Sequence, residues 1–270
     1  MLLLAAILTL MCAAASWAIT QMVFAPRLAT TRARNGVWAA LFCLFFAIQQ
    51  LWVMPVVQRA YEATLLDDAL QESSVVWRTL KAYDPGTYNL LVANARARLA
   101  AGDSLAVAVA AMGAPMRAMA ARRVGNTSDA AAVAYLRVLA QEIDHLQLRP
   151  DDACWQFLYP ADTDPLDLSA ALPAPLLEAD MAAFAEVIRV AATAPQAVPS
   201  RAQFEAALRP VALRLGRSFM DDLDRSLQPQ TTLAGRRHAC TTTAALYTQI
   251  FTLPTAQAGT AVRYLLGNTH

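Results

Sequence analysis

Glu142 and His145 stand three residues apart, a spacing that brings a carboxylate and an imidazole onto one face of a helix. Carboxylate-bridged metal bundles use two such pairs with additional glutamates, and this sequence offers one. The spacing therefore reads as the exposed polar face of an amphipathic helix. His238-Ala239-Cys240, with Cys154 distant in the chain, supplies the atom types of a zinc site or of a Cys/His nucleophile pair. Zinc ligands announce themselves by paired short spacings, which are absent, and two residues apart on a helix a His and a Cys point to different faces. A disulfide or core packing is the better reading of Cys240. Arg236-Arg237-His238 has no glycine-rich loop beside it and reads as a helix N-terminal region or solvated surface, not a phosphate clamp.

Asp162, Asp164 and Asp167 give the carboxylate density of a calcium loop, but the turn glycine and distal glutamate are missing and Pro165 stiffens the centre. A solvated loop is expected. Asp221, Asp222 and Asp224 spread around a helix and read as a solvated face. Trp155, Phe157 and Tyr159, beside Cys154, form the densest aromatic group outside the apolar N-terminus. They read as a core plug, or as an aromatic anchor for a partner protein. The sequence holds no serine elbow, HExxH, Walker loop, dinucleotide fingerprint or CxxC, so no motif proposes an enzyme, a metal or a cofactor.

The elements that must position these groups are helical throughout. Residues 58–83 recur with Tyr61, Leu65, Ala69, Val76, Leu80 and Tyr83 at helical spacing and continue a preceding apolar run, predicting one rod bent near Pro55. Asp84-Pro85-Gly86 is a break and restart, with Asp as N-cap and Pro at the first helical position. Gly102 ends that helix and the next is interrupted at Gly113-Ala114-Pro115. Residues 129–148 form an amphipathic helix with Val133, Leu136, Leu139, Ile143 and Leu146 on one face. Proline and aspartate crowd 150–175, predicting a short helix at 153–159 and then an irregular connection. Helices follow at about 176–194 and at 201–227, the latter kinked or divided at Pro210. Another is expected at about 232–252, and a short one starts at Pro254. A tetratricopeptide-like stretch at 96–110 does not recur at the required period.

The N-terminal portion differs. The first 57 residues carry three charged side chains, Arg27, Arg32 and Arg34, and no acid precedes Glu62. About 20 apolar residues cross a hydrocarbon core. The runs at about 1–25 and 37–57 therefore read as a transmembrane helical hairpin joined by an Arg-rich linker, 26–36. Gln49 and Gln50 weaken the second run; buried amides need partners, so they are expected to face the first helix or sit near the interface, or else to hydrogen-bond a partner helix. Short Arg-rich loops stay cytoplasmic, which puts the linker inside and the N-terminus and the large domain outside, in the periplasm of a Gram-negative cell. Ser16-Trp17-Ala18 resembles a signal-peptidase site, but no basic segment precedes it. Cys12 and Cys43 fall within the apolar runs as small hydrophobes. In an oxidising compartment Cys154 and Cys240 can form a disulfide.

After Val57 the chain carries nineteen basic and twenty-one acidic residues, a balance that argues against nucleic-acid binding. A single lysine, Lys81, among many arginines and alanines is the mark of a GC-rich bacterial genome. The expectation is an all-α protein: a membrane anchor at 1–57, then an Ala-rich helical bundle at 58–270. It would act as an interaction or scaffold component of the bacterial envelope, in contact with the membrane and with other envelope proteins or itself. The alternative is a membrane-bound enzyme or ligand sensor with a pocket between helices.

Overall fold

The computed structural model describes residues 2–24, 31–160, 166–226, 228 and 230–268. It is 84% helical, and no strand occurs among the described residues. Two compact units divide the chain. One comprises Met1–Asp67 and Asn94–Ala110, the other Asp68–Ala93 and Ala111–His270.

In the first unit, α1 (Leu2–Ile19) runs into a π-helical turn, Thr20–Phe24, and α2 (Thr31–Ile48) into a second, Gln49–Val53, followed by α3 (Met54–Ser73), whose residues from Asp68 onward belong to the second unit. Each π turn lies just before a proline in sequence, Pro26 and Pro55. At Pro55, within α3, a proline supplies no N–H to the carbonyl four residues earlier, and the ladder re-registers upstream of it. α2 begins at Thr31, so Arg32 and Arg34 belong to its first turns and the linker is shorter than the sequence suggests. Arg27 lies outside the described residues. The stretch Asn35–Val53 is long and apolar enough to cross a membrane and is 6% buried; Thr9–Val23 is a shorter apolar helix. α1 and α2 pack on each other through a polar seam. The Cys12 thiol donates to Gln49 Oε1 at 3.1 Å, and Gln49 Nε2 donates to Thr9 Oγ1 at 3.3 Å. The Ser16 hydroxyl donates to the Cys12 carbonyl and that of Thr20 to the Ser16 carbonyl, both at 2.7 Å.

The expected rod does not reach Tyr83. Ser74 has φ −157° and ψ 144°, ending α3, and its hydroxyl caps α4 (Val75–Tyr83) by accepting from the Val76 N–H. Asp84 then accepts from the Thr87 N–H at 3.2 Å and α5 (Pro85–Ala101) starts on its proline. Gly102 at φ 108° closes it, a conformation that favours glycine. α6 (Leu105–Ala110) is short, and α7 (Gly113–Asn126) starts at the glycine read as an interruption.

The second unit is organised around α8 (Asp129–Gln147), capped by the Ser128 hydroxyl. α8 packs against α9 (Ala153–Leu158), α11 (Ala174–Thr193), α13 (Leu233–Ile250) and α14 (Thr255–Gly267). Leu136, Ile143 and Leu146 of α8, Ile250 of α13, and Ala261 and Val262 of α14 are sealed in the core. Between α9 and α11, Asp167 caps the single turn α10 (Leu168–Ala171). α12 (Arg201–Ser226) opens with a reciprocal capping box, in which the Ser200 N–H donates to Gln203 Oε1 at 2.8 Å and the Gln203 N–H to the Ser200 hydroxyl at 3.3 Å. Its break is at Gly216 (φ 79°, ψ 171°) and not at Pro210. A proline inside a helix removes one hydrogen bond, whereas that Gly216 conformation leaves the helix altogether.

α14 approaches closely because glycines permit it. A Cβ on Gly259 would strike the Asp129 backbone, and one on Gly267 would meet Gly125 Cα at 2.7 Å. Arg263 is 5% exposed. Its guanidinium donates to the Gly125 carbonyl (3.1 Å), Asp129 Oδ1 (3.1 Å), Gln196 Oε1 (2.6 Å) and the Ala197 carbonyl.

Candidate functional site

Two acids lie where the bundle should hold only apolar groups. Glu142 on α8 is 1% exposed, and neither of its carboxylate oxygens has a hydrogen-bond partner. Asp180 on α11, half-buried, also has a sealed and unpartnered Oδ1. α8 and α11 pack directly against each other. Burial disfavours the charged form, and the negative charge of Asp180 adds to that penalty. Together they push Glu142 from 4.5 up to about 8. Burial pushes Asp180 from 3.8 up to about 6. Tyr135, two helical turns before Glu142 on α8, is held protonated by burial and then by Asp180, Glu142 and Tyr247; its ring packs on Phe184 of α11 at 5.6 Å. Tyr247 of α13 is pushed up to about 12 by burial and by Tyr159. Near neutral pH the pair therefore retains one proton, on Glu142. Such an arrangement can store and release a proton in the physiological range.

Glu142 thus does not lie on a solvated polar face, as the Glu142/His145 spacing suggested. His145, three residues on, is half-buried, and no group of three or more His, Cys, Asp or Glu suited to a metal ion occurs among the described residues. Asp180 was not singled out from the sequence. The available signal was positional. Asp180 stands four residues before Phe184 and seven before Val187, and Glu142 stands three after Leu139 and four before Leu146, so each interrupts an apolar stripe.

A second polar locality lies at the far end of α8. A disulfide joins Cys154 of α9 to Cys240 of α13 with Cα atoms 6.2 Å apart. Closing a loop of 86 residues corresponds to about 4–5 kcal/mol on the chain-entropy account. A cavity of about 180 Å³ is lined by both cysteines, by Trp155, and by Arg149, Arg236 and Arg237 with Asp151 and Asp152. Arg149 pairs with Asp151 at 2.9 Å and Arg236 with Asp152, while Arg237 donates to the Pro150 carbonyl. The cysteines themselves are 4% and 2% exposed.

Trp155, Phe157 and Tyr159 are neither sealed nor free. All three are half-buried; Trp155 and Phe157 pack on the core cluster, Trp155 stacks on Tyr159 at 4.0 Å, and the Tyr159 hydroxyl donates to the Ser226 carbonyl at 3.4 Å. Gln49 is buried with its amide engaged by α1, whereas Gln50 is exposed. His238 sits outside the disulfide cavity and faces Asp222 Oδ2 at 2.7 Å on the surface. Asp222 also accepts from Arg225, so this carboxylate belongs to a surface network. Asp162 and Asp164 lie outside the described residues, and Asp167 caps α10. Arg32 is exposed on α2. No protein-family model, curated protein or solved structure matches the chain.

Proposed function

We propose that the protein is a membrane-anchored component of the bacterial envelope whose helical second unit acts outside the cytoplasm as an interaction or scaffold module. The observation that carries this reading is the apolar helix Asn35–Val53, 6% buried, with Leu44, Phe46, Ile48, Leu51 and Trp52 exposed along it. Water disfavours so much contiguous apolar surface, and lipid accommodates it. α1 beside it satisfies the Gln49 amide, which favours a two-helix anchor. Arg27, Arg32 and Arg34 orient that anchor with its linker in the cytoplasm and the helical unit in the periplasm. A Cys154–Cys240 pair suits an oxidising compartment.

A second reading, a sensor that responds through a site between helices, is favoured by the buried, unpartnered Glu142 and Asp180.

The anchor is tested by alkaline extraction of membranes, and the orientation by a membrane-impermeant maleimide in intact cells with only the outer membrane permeabilised. Single cysteines are introduced at exposed Thr31 and at exposed Arg201 in a background otherwise free of reactive thiols. The reading requires retention in the alkaline pellet, labelling at position 201 and protection at 31. Release by alkali removes the anchor, and the inverse labelling pattern removes the periplasmic assignment. The interaction role is tested by in-cell cross-linking of the tagged full-length chain. Recovery of the protein alone with several cross-linkers would shift weight to the sensor reading.

A further inference from the structure

From the cavity floored by Cys154 and Cys240 we infer that this disulfide is a thiol–disulfide exchange site, open in the folded protein to a small thiol or to the exposed thiol of a dithiol carrier. Cys154 and Cys240 pack into the apolar core cluster on one side, and on the other they border a cavity of about 180 Å³ that also meets three arginines and two aspartates beside Leu146 and Trp155. The guanidiniums of Arg149, Arg236 and Arg237 outnumber the carboxylates of Asp151 and Asp152, leaving an excess of positive charge. A cation near a cysteine stabilises its thiolate.

The placement of the arginines distinguishes the two sulfurs. Arg236 and Arg237 lie four and three residues before Cys240 on α13, so they share its helical face. Cys240 is therefore the better leaving thiolate. In the exchange, a carrier thiolate attacks Cys154 Sγ, a bond forms between the two, and the Cys154–Cys240 bond breaks with its electron pair passing to Cys240. The carrier's second thiol then loses its proton and attacks the carrier sulfur of the mixed disulfide, releasing Cys154. The carrier dithiol is oxidised to a disulfide and the protein cystine is reduced to two thiols. The two protons lost by the carrier are taken up by Cys154 and Cys240. Reduction unties the six-residue α9 from α13 and leaves the ion pair of Asp152 with Arg236 and the Arg237 bond to the Pro150 carbonyl between these segments.

The test uses the full-length protein in detergent micelles without denaturant. Dithiothreitol, and separately the monothiol glutathione, are titrated while acid-quenched samples are mass-analysed. The expected result is reduction whose rate rises in proportion to thiol concentration, far above the rate of global unfolding measured under the same conditions. The quenched glutathione adduct is expected on Cys154. The Arg236→Gln variant, which raises the leaving-thiol pKa, is expected to reduce more slowly than the wild type in the fold, and at the wild-type rate in guanidinium. A rate that saturates at the unfolding rate, or reduction only in denaturant, overturns the proposal using the wild-type protein alone. An adduct on Cys240 overturns the assigned direction of attack.

Discussion

Replacing Glu142 by Gln keeps the size and shape of the side chain and removes its proton equilibrium. In the unfolded chain this carboxyl titrates near 4.5, and in the fold it is pushed up to about 8. At about 1.4 kcal/mol per pH unit, holding Glu142 ionised inside the fold costs about 5 kcal/mol. Because the folded value is the raised one, the folded state binds the proton more tightly. Glu142's contribution is fully present below about 4.5, falls as pH rises, and is exhausted above about 8. Asp180, pushed from 3.8 to about 6, adds to the fall in its own lower window. Across pH 5 to 7, Glu142 alone is expected to remove up to about 3 kcal/mol of stability. The assay is urea unfolding of the full-length protein in micelles at half-unit pH intervals, for wild type and Glu142→Gln. Their difference isolates Glu142 from other carboxylates, including Asp84, whose folded pKa is lowered and whose contribution is lost toward acid. The wild type should lose stability relative to the variant as pH rises from 5 to 8, and the variant should be the more stable at pH 8. Parallel curves, or a wild type that gains on the variant with rising pH, would refute the assignment of a protonated, unpartnered acid.

Three further outcomes are expected. Gly259→Ala drives a methyl group into the Asp129 backbone and should cost about 1–3 kcal/mol or more, read as a lowered thermal midpoint. Arg263→Met removes the buried guanidinium that serves Gly125, Asp129, Gln196 and Ala197. It should cost about 3–5 kcal/mol in denaturant unfolding, because two backbone carbonyls, the Gln196 amide oxygen and a carboxylate lose their donor. Gln49→Leu removes the link to Cys12 and Thr9 and should weaken association of α1 with α2 by about 1–2 kcal/mol. Gln50→Leu should leave that association unchanged, with both measured by cross-linking cysteines placed on the two helices.

The helices were legible because their signals are local. Asp84 and Gly102 begin and end elements through bonds to residues three positions away, so reading along the chain finds them. Pro210 misled for a related reason. The sequence marks it as a breaker, while the actual break is at Gly216, a residue free to take φ 79°. The acid pair escaped because burial is a three-dimensional property. Glu142 carries the same letter in a solvated stripe as in a sealed one, and only the arrival of α11 carrying Asp180 distinguishes them. Arg263 was equally silent, since its four acceptors lie 66 to 138 residues away.

The division of the chain into Met1–Asp67 with Asn94–Ala110, and Asp68–Ala93 with Ala111–His270, has a consequence for synthesis and dissection. The polypeptide passes between the units three times. A ribosome delivers the opening of the second unit before the first is finished, so the first can close only after residues 68–93 have emerged. A single protease cut cannot liberate either unit as one fragment. Deleting the apolar helices alone would strand residues 94–110 without the remainder of their unit. A separable second unit would instead require joining residue 93 to residue 111.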